Sequence, residues 1–155
     1  MTEFQERVSL NDYHIVAVVE SWTTDDLRDS ELYLDGYDMY REDKKPGKGG
    51  GILLYVKDTL KSVRFNKLAS VGFEQSIWCI VELKSSRYLI GTCYRSPSNS
   101  AENGERLLEL LYTAVIQSRV SNVIVIGDFN YPDMDYERFY AVSYTHLTLP
   151  TNREV

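Results

Sequence analysis

Residues 123–132 have the sequence VIVIGDFNYP, in which an apolar run stops abruptly at a glycine and a carboxylate. A short apolar run bounded by turn residues is typical of a strand buried in a sheet. We therefore predict that Val123–Ile126 form a buried strand and that Asp128 stands just beyond its end. Gly127 and Asp128 taken alone are also compatible with a simple tight turn.

The same pattern occurs near the beginning of the chain, where Val16–Val19 lead directly into Glu20. Side chains at the ends of strands in a layered sheet converge at one edge. The two carboxylates and the amide of Asn130 offer oxygen ligands without a nearby Cys or His, a set that suits Mg²⁺ or Mn²⁺ better than zinc. Such an ion can neutralise phosphate charge. Either acid by itself is more often a turn residue or a helix cap.

The middle of the chain predicts further strands. Ile52–Val56 form one apolar run after a glycine-rich loop, and residues 77–94 predict a hairpin with its turn at residues 85–86. In this register Cys79 and Cys93 point to opposite faces of the sheet, so a disulfide between them is not expected. We predict two buried thiols instead.

Two helices are predicted between the strands. One begins at Thr24 and continues through Leu34 before Gly36, and the other follows a capping-box variant at residues 99–102. Because the hairpin strands are apolar on both faces, we predict an α+β sandwich with helices outside the sheets. The predicted apolar stripe of the second helix consists of Leu107, Leu108, Leu111, Ala114 and Val115.

The composition is that of an ordinary soluble domain. The chain has 155 residues, of which 43% are hydrophobic and 26% charged, enough for one domain with a real core. No apolar run approaches the ~20 residues of a membrane span, and the N-terminus lacks the regions of a signal peptide. We therefore predict an intracellular protein without a membrane partner.

The charge is unevenly distributed along the sequence. The net charge is −6, but Arg41–Lys67 contain eight Lys or Arg and three Asp or Glu, a local charge of +5 that leaves −11 elsewhere. Such a stretch is usually a solvated face; the alternative is a strip that contacts phosphate groups.

Five motifs along the chain carry a family resemblance. They are VVESW at 18–22, GY at 36–37 with RED at 41–43, GGGILLYV at 49–56, YRSP at 94–97 and GDFNYP at 127–132. In this order the chain resembles the endonuclease/exonuclease/phosphatase superfamily, and more narrowly the endonuclease of a non-LTR retrotransposon. The resemblance implies a partial four-layer α/β/β/α sandwich of the DNase I-like type that lacks its first strand and its C-terminal part.

The resemblance implies roles at the reaction centre for four side chains. Glu20 is similar to the family's metal-binding glutamate, with Mg²⁺ or Mn²⁺ as the cofactor. Asp128 matches the aspartate that orients or deprotonates the attacking water, and Asn130 matches the amide that holds the phosphate. Tyr94 matches a tyrosine near the scissile phosphate; the alternative is a strand-end aromatic residue in the core.

The resemblance also implies three contacts with nucleic acid. Arg95 suits a phosphate contact because a guanidinium presents a fork of donors, although a structural ion pair is an equal alternative. Arg41 and Lys44 are predicted to contact the DNA backbone.

Two features of the family are missing from the sequence. Nothing before Asn11 resembles the family's first strand with its metal-site asparagine, and no Ser-Asp-His segment follows Asp128. We therefore predict a truncated domain over residues 1–141 that is inactive by itself. Residues 142–155 resemble a translated sequencing adaptor and are predicted to be a non-native tail.

The function implied by the resemblance is that of an enzyme that nicks one DNA strand and so primes reverse transcription. A reverse-transcriptase domain is then expected downstream in the full-length protein, and the nucleus is the implied compartment. Two alternatives stay open. One is a hydrolase of the same fold that acts on another phosphate ester, and the other is a non-catalytic remnant that binds nucleic acid through Arg41–Lys67.

Overall fold

Two β-sheets form the centre of this protein, as seen in a computed structural model that describes residues 3–46, 49–68, 71–73, 75–97 and 101–130. The elements of these residues are, in chain order, α1 (Glu3–Asn11), β1 (Ile15–Val19), α2 (Asp29–Leu32), β2 (Tyr37–Glu42), β3 (Ile52–Lys57), β4 (Lys61–Arg64), β5 (Ser76–Leu83), β6 (Ser86–Tyr94), α3 (Ala101–Ser118) and β7 (Asn122–Asp128).

The two sheets differ in the direction of their strands. The first has the order β1-β3-β2 and is antiparallel throughout. The second has the order β4-β5-β6-β7 and ends in a parallel pair, β6 and β7. Because parallel neighbours cannot be joined by a tight turn, they need a long crossover, and α3 supplies it.

The elements stack in four layers. α1 covers the outer face of the first sheet through Val8, and α3 covers the outer face of the second sheet through Leu107 and Leu110. Burying an aliphatic side chain of this size stabilises the fold by about 1.5–3 kcal/mol. The predicted α+β sandwich with α/β/β/α layers is therefore confirmed. The core between the sheets consists of Ile52, Leu54, Val56, Ile77, Cys79, Val81, Ile90 and Tyr94.

The central strand of the first sheet is buried on both faces. Side chains alternate between the faces of a strand, so Ile52, Leu54 and Val56 face the second sheet while Leu53 and Tyr55 belong to the cluster around α1. All five side chains are buried, and the predicted strand is confirmed.

The predicted hairpin forms, but its register differs from the prediction by two residues. Leu83 pairs with Ser86, so the turn begins one residue earlier than predicted. The reason lies in the packing of an indole: Gly91 is opposite Trp78, and a Cβ on Gly91 would lie 2.6 Å from Cε3 of that ring. The predicted register was therefore wrong, although a shift of two residues keeps every side chain on its predicted face.

The two cysteines lie on opposite faces of the second sheet, as predicted. Cys79 belongs to the core between the sheets and Cys93 to the core beneath α3, and both are free thiols. Burial raises the pKa of the Cys79 thiol to about 12 and also raises the pKa of Cys93.

The helix predicted from Thr24 to Leu34 is wrong, because only Asp29–Leu32 are helical. The guanidinium of Arg41 donates to the backbone carbonyls of Thr24 and Leu27 at 2.9 and 2.8 Å. Those carbonyls would have accepted intrahelical hydrogen bonds. A tertiary contact therefore replaces the first turns of the predicted helix.

Two predicted apolar surfaces are buried only in part. In α3, Leu108 is 64% exposed and Leu110 is buried instead, at 0%. In β7 the buried residues are Val123 and Val125. Ile124 and Ile126, on the other face of the strand, are 40% and 37% exposed. β7 is the last strand of its sheet within the described ranges, and only its face with Val123 and Val125 packs into the core beneath α3.

Three of the remaining predictions concern residues outside the described ranges. These are the helix cap at residue 99, the domain boundary at residue 141 and the non-native tail over residues 142–155. Among the helices that the structure describes, none combines the length and the apolar character that a membrane crossing requires.

Candidate active site

Three strand ends meet at one edge of the sandwich. β6 ends at Tyr94 and β7 at Asp128, and these two residues pair in the parallel register, so the strand ends lie side by side. β1 of the facing sheet ends just before Glu20, and the hydroxyl of Tyr94 donates a hydrogen bond to Oε1 of Glu20. The structure thus brings together residues that are 74 positions apart in the sequence.

A glycine pair holds the backbone that carries Glu20. Glu20 has a φ of +52° and Trp22 a φ of +55°. The amides of Ser21 and Trp22 donate to the carbonyls of Gly51 and Gly50 at 3.1 and 2.9 Å. A Cβ on Gly51, whose φ is +87°, would lie 2.6 Å from Oγ of Ser21. The glycines preceding β3 therefore let the segment after Glu20 approach closely.

Gln75 is a site residue that the sequence analysis did not identify. Its side-chain oxygen accepts a hydrogen bond from the amide of Gly51 at 3.2 Å, and its backbone carbonyl accepts one from the amide of Tyr94 at 2.9 Å. It links the glycine loop of the first sheet to the end of β6 in the second. The irregular sequence before β5 gave no signal for this role.

Four backbone and side-chain hydrogen bonds fix the loop that carries Asp128 and Asn130. The amide of Asn130 donates to Oδ1 of Asp128 at 3.1 Å, and its Nδ2 donates to the carbonyl of Arg95 at 2.8 Å. In return, Arg95 Nη1 donates to the carbonyl of Asn130 at 2.6 Å, and its amide donates to the carbonyl of Asp128 at 2.9 Å. Arg95 is 7% exposed, so it is a buried support of this loop.

Tyr94 remains a neutral donor over the ordinary pH range. Burial, the hydrogen bond to Glu20 and the charge of Asp128 together raise the pKa of Tyr94 from 10 to about 12. Its side chain is 3% exposed. The phenol therefore presents a proton to the carboxylate edge at any pH below about 10.

This pKa shift predicts a loss of stability at high pH. A raised folded-state pKa stabilises the protein fully below the unfolded pKa of 10, and the contribution is lost as the pH rises through about 12. A shift of this size corresponds to about 2–3 kcal/mol. Between pH 10 and pH 12, the free energy of unfolding measured in urea should therefore decrease less for Tyr94→Phe than for the wild type. Tyr13→Phe, at an exposed position, is the matched control, and equal slopes for all three proteins would contradict the prediction.

Arg41 and Lys44 have different surroundings. The Arg41 guanidinium contacts both oxygens of Asp43 at 2.7 and 2.8 Å and Asp29 at 2.7 Å, in addition to the two loop carbonyls. Its donors are thus used inside the protein, where they fasten the loop before α2. Nζ of Lys44 instead lies 5.6 Å from the ring centroid of Trp22, and this indole is 56% exposed two residues after Glu20.

The residues at the three strand ends fit a hard divalent cation. Their donors are the carboxylates of Glu20 and Asp128 and the amide oxygen of Asn130, and no Cys or His accompanies them in the described residues. Mg²⁺ is commonly held by one or two carboxylates while it keeps several waters. Within the same ranges no group of three or more His, Cys, Asp or Glu side chains gathers around one point.

The sequence profile of the Endonuclease/Exonuclease/phosphatase family matches residues 1–153. The chain belongs to this family. The family assignment agrees with the four layers of the fold and with the carboxylate edge. No curated protein matches the sequence.

Solved structures of the Endonuclease/Exonuclease/phosphatase fold are similar to this chain over most of its length. The endonuclease domain of TRAS1, a telomere-specific non-LTR retrotransposon, is 12% identical, with a TM-score of 0.58 over 81% of this chain and 50% of that one. The AP endonuclease LMAP from Leishmania major is 18% identical, with a TM-score of 0.63 over 88% and 52%. A mannosyl-6-phosphatase from Bacteroides thetaiotaomicron is 17% identical, with a TM-score of 0.57 over 82% and 55%.

These similarities establish the DNase I-like fold, and the chain spans about half the length of each of these structures. These structures are those of two nucleases and a phosphatase. The family and the fold therefore leave the substrate of this chain to be argued from its own residues.

Proposed function

We propose that this chain is part of the DNA-nicking endonuclease of a non-LTR retrotransposon, a metal-dependent phosphodiesterase. The observation that carries the proposal is the meeting of Glu20, Tyr94 and Asp128 at one edge of two facing sheets. Hydrolysis by such an enzyme leaves a hydroxyl on one side of the nick. A polymerase that follows in the same protein could extend this end.

Each side chain has a distinct task in the proposal. Glu20 and the oxygens around it would hold the divalent cation that members of this family generally use, and the ion's charge would balance that of the phosphate. Asp128 accepts a proton from the attacking water. Asn130 donates a hydrogen bond to the phosphate oxygens as negative charge develops on them. The Tyr94 hydroxyl, whose single proton bonds to Glu20 in this structure, would turn from Glu20 to a phosphate oxygen when the substrate is bound.

The contacts with DNA are assigned to fewer residues than the sequence predicted. Lys44 is proposed to contact a backbone phosphate, and the exposed ring of Trp22 beside it offers a surface for an unstacked base. Arg95 contributes positive charge beneath the loop of Asp128. Arg41 is left out of the proposed DNA-contacting set because its donors already bond to Asp29, Asp43 and two carbonyls.

Two sequence features favour the retrotransposon branch over other members of the family. They are the YRSP motif at 94–97 and the GDFNYP motif at 127–132, and residues 94–97 and 127–130 lie at the proposed site. The proposal includes a reverse-transcriptase domain elsewhere in the complete protein and the nucleus as its compartment, because its substrate is chromosomal DNA. An alternative is a phosphatase, which the likeness to the mannosyl-6-phosphatase favours.

The test is a plasmid-nicking assay with a protein that carries this sequence in its complete reading frame. Supercoiled DNA should be converted to the nicked circle with Mg²⁺ and should stay intact with EDTA. The 155-residue chain alone is expected to be inactive. Release of phosphate from sugar phosphates without nicking would favour the phosphatase, and DNA binding without either reaction would favour a non-catalytic remnant.

A further inference from the structure

A cavity of about 470 Å³ lies between the end of β4 and the start of β5. Residues 64–66 line this β4–β5 cavity on one side, and residues 76–78 line it on the other. Ser76 pairs with Cys93, the residue before Tyr94, so the cavity begins one strand away from the strand that carries Tyr94. Its volume lies within the range of about 300–1,000 Å³ that is usual for ligand pockets.

Aromatic side chains form part of the wall of the β4–β5 cavity. Phe65, Phe73 and Trp78 line it, and their exposed fractions are 9%, 7% and 3%. All three belong to the core beneath α3, so packing holds each ring in place. Such a wall suits a planar group, and every nucleobase presents a π-face to an aromatic ring. Asn66, which is exposed, adds an amide that can both donate to and accept from the edge of a base.

The charged residues at this cavity are mainly basic. Lys45 and Arg64 line it and are exposed, and Glu42 lines it beside them. The Glu42 carboxylate lies 3.1 Å from Arg64 Nη2, and the three charges sum to +1. All three belong to the stretch Arg41–Lys67, whose local charge of +5 contrasts with the net charge of −6. Positive charge beside an aromatic wall suits a ligand that combines a phosphate with a planar ring.

The spacing of the strands relates the cavity to the proposed point of cleavage. Neighbouring strands of a sheet lie about 4.8 Å apart, so β5 and β4 are about 5 and 10 Å from β6. A strand of B-DNA rises by about 3.4 Å per nucleotide. A DNA strand whose scissile phosphate lies at Tyr94 therefore reaches the cavity within about two or three nucleotides.

We propose that the β4–β5 cavity binds an unpaired base of the DNA strand about two or three nucleotides from the nick, with Lys45 and Arg64 beside the phosphates of that nucleotide. This inference rests on the proposed DNA-nicking function and specifies its substrate, a strand with a base that is easily unstacked near the point of cleavage. Taking a base out of the stack costs least at a mismatch or in a single strand. A sugar phosphate would satisfy the basic residues but would leave the aromatic wall uncovered, so the lining favours a nucleotide.

Charge reversal at the cavity tests the site by binding alone. The fluorescence anisotropy of a labelled single-stranded oligonucleotide, measured in EDTA with the 155-residue chain, gives the Kd. Lys45→Glu should raise the Kd at least about fivefold and should reduce the slope of log Kd against log salt by about 0.7 for each phosphate contact that is lost. Lys84→Glu makes the same change of charge at the exposed hairpin turn and should raise the Kd less than about twofold. Equal weakening by the two variants would overturn the proposal.

The indole of Trp78 gives a second measurement at the cavity itself. The chain has two tryptophans, so in a Trp22→Phe variant the tryptophan fluorescence comes from Trp78 alone. A deoxynucleoside monophosphate should change this emission in a saturable way, because its base would lie against the wall that contains Trp78. Inorganic phosphate at the same concentration should not. An equal response to both would indicate a site for anions only, and no response to the nucleotide would also overturn the proposal.

These measurements separate the inference from the proposed function, because they need neither metal nor cleavage. If plasmid DNA stays intact but oligonucleotide binding depends on Lys45, the proposed nicking fails and the base-binding cavity is supported. If plasmid DNA is nicked while Lys45→Glu binds and cuts like the wild type, the cavity is refuted and the nicking stands. A single strand should also bind more tightly than the fully paired duplex of the same sequence, and the opposite order would overturn the preference for an unpaired base.

Discussion

Asp128→Asn is expected to lower the rate of DNA nicking by about 10²–10⁴-fold at saturating Mg²⁺, the range typical of a lost general base. The substitution preserves the shape of the side chain, and the asparagine oxygen can still accept the hydrogen bond that the Asn130 amide donates at 3.1 Å. The loop should therefore stay in place while the side chain loses its ability to take a proton. Initial rates of nicking with the complete protein measure the effect.

A second substitution in the site, Glu20→Gln, is expected to lower the nicking rate by weakening the binding of the metal ion. Its loss of charge should raise the Mg²⁺ concentration needed for half-maximal nicking, because a neutral amide is a weaker ligand than a carboxylate. Asp58→Asn, at an exposed turn beyond β3, removes a carboxylate from the surface and is the matched control. Nicking that survives both site substitutions at half the original rate would refute the assignment of the two carboxylates.

Gly127→Ala is expected to unfold the chain or to destabilise it by more than about 4 kcal/mol, the range of the most damaging substitutions. A Cβ on Gly127 would overlap the carbonyl oxygen of Cys93 and lie 2.9 Å from its carbonyl carbon. Both atoms belong to the neighbouring strand β6 and cannot rotate away. The effect is measured as the free energy of unfolding in urea, or as the loss of soluble protein.

Gly36→Ala is the matched control for this substitution. Gly36 also has a positive φ, +78°, but a Cβ there would meet nothing within 4 Å. Its cost should be limited to the backbone strain of about 1–2 kcal/mol. If Gly127→Ala costs no more than Gly36→Ala, the close approach of β6 and β7 beside Asp128 is wrong.

The strands of the core were predictable from sequence because their signals are local. The apolar runs at Ile52–Val56 and Val123–Ile126 contain enough β-branched and aliphatic residues to specify strands without knowledge of their neighbours. The carboxylates were predictable for a related reason. Glu20 and Asp128 interrupt such runs, and an acid at the end of a buried strand is recognisable before any partner is known.

Two of the errors arose where a distant residue decides the local structure. Arg41 takes the carbonyls on which the predicted helix after Thr24 depended, and Gly91 sets the hairpin register by making room for Trp78. α1 was missed because its buried side is a single residue, Val8. Local patterns contain none of these contacts.

The same division between local and distant signals decided which features of the candidate site could be predicted from the sequence. The predicted cluster of Glu20 and Asp128 depends on residue types within single motifs. The bridging role of Gln75 and the donation from Tyr94 to Glu20 depend on the packing of one sheet on the other. The types of side chain could thus be predicted, but the hydrogen bonds that orient them could not.

The placement of one thiol on each face of the second sheet gives the chain two internal reporters of breathing motions. A thiol reacts as its thiolate, and burial suppresses that form at both positions. Alkylation of Cys79 therefore records moments when the two sheets separate, and alkylation of Cys93 records moments when α3 lifts away. The ratio of the two rates measures which layer of the sandwich opens first, without any added probe.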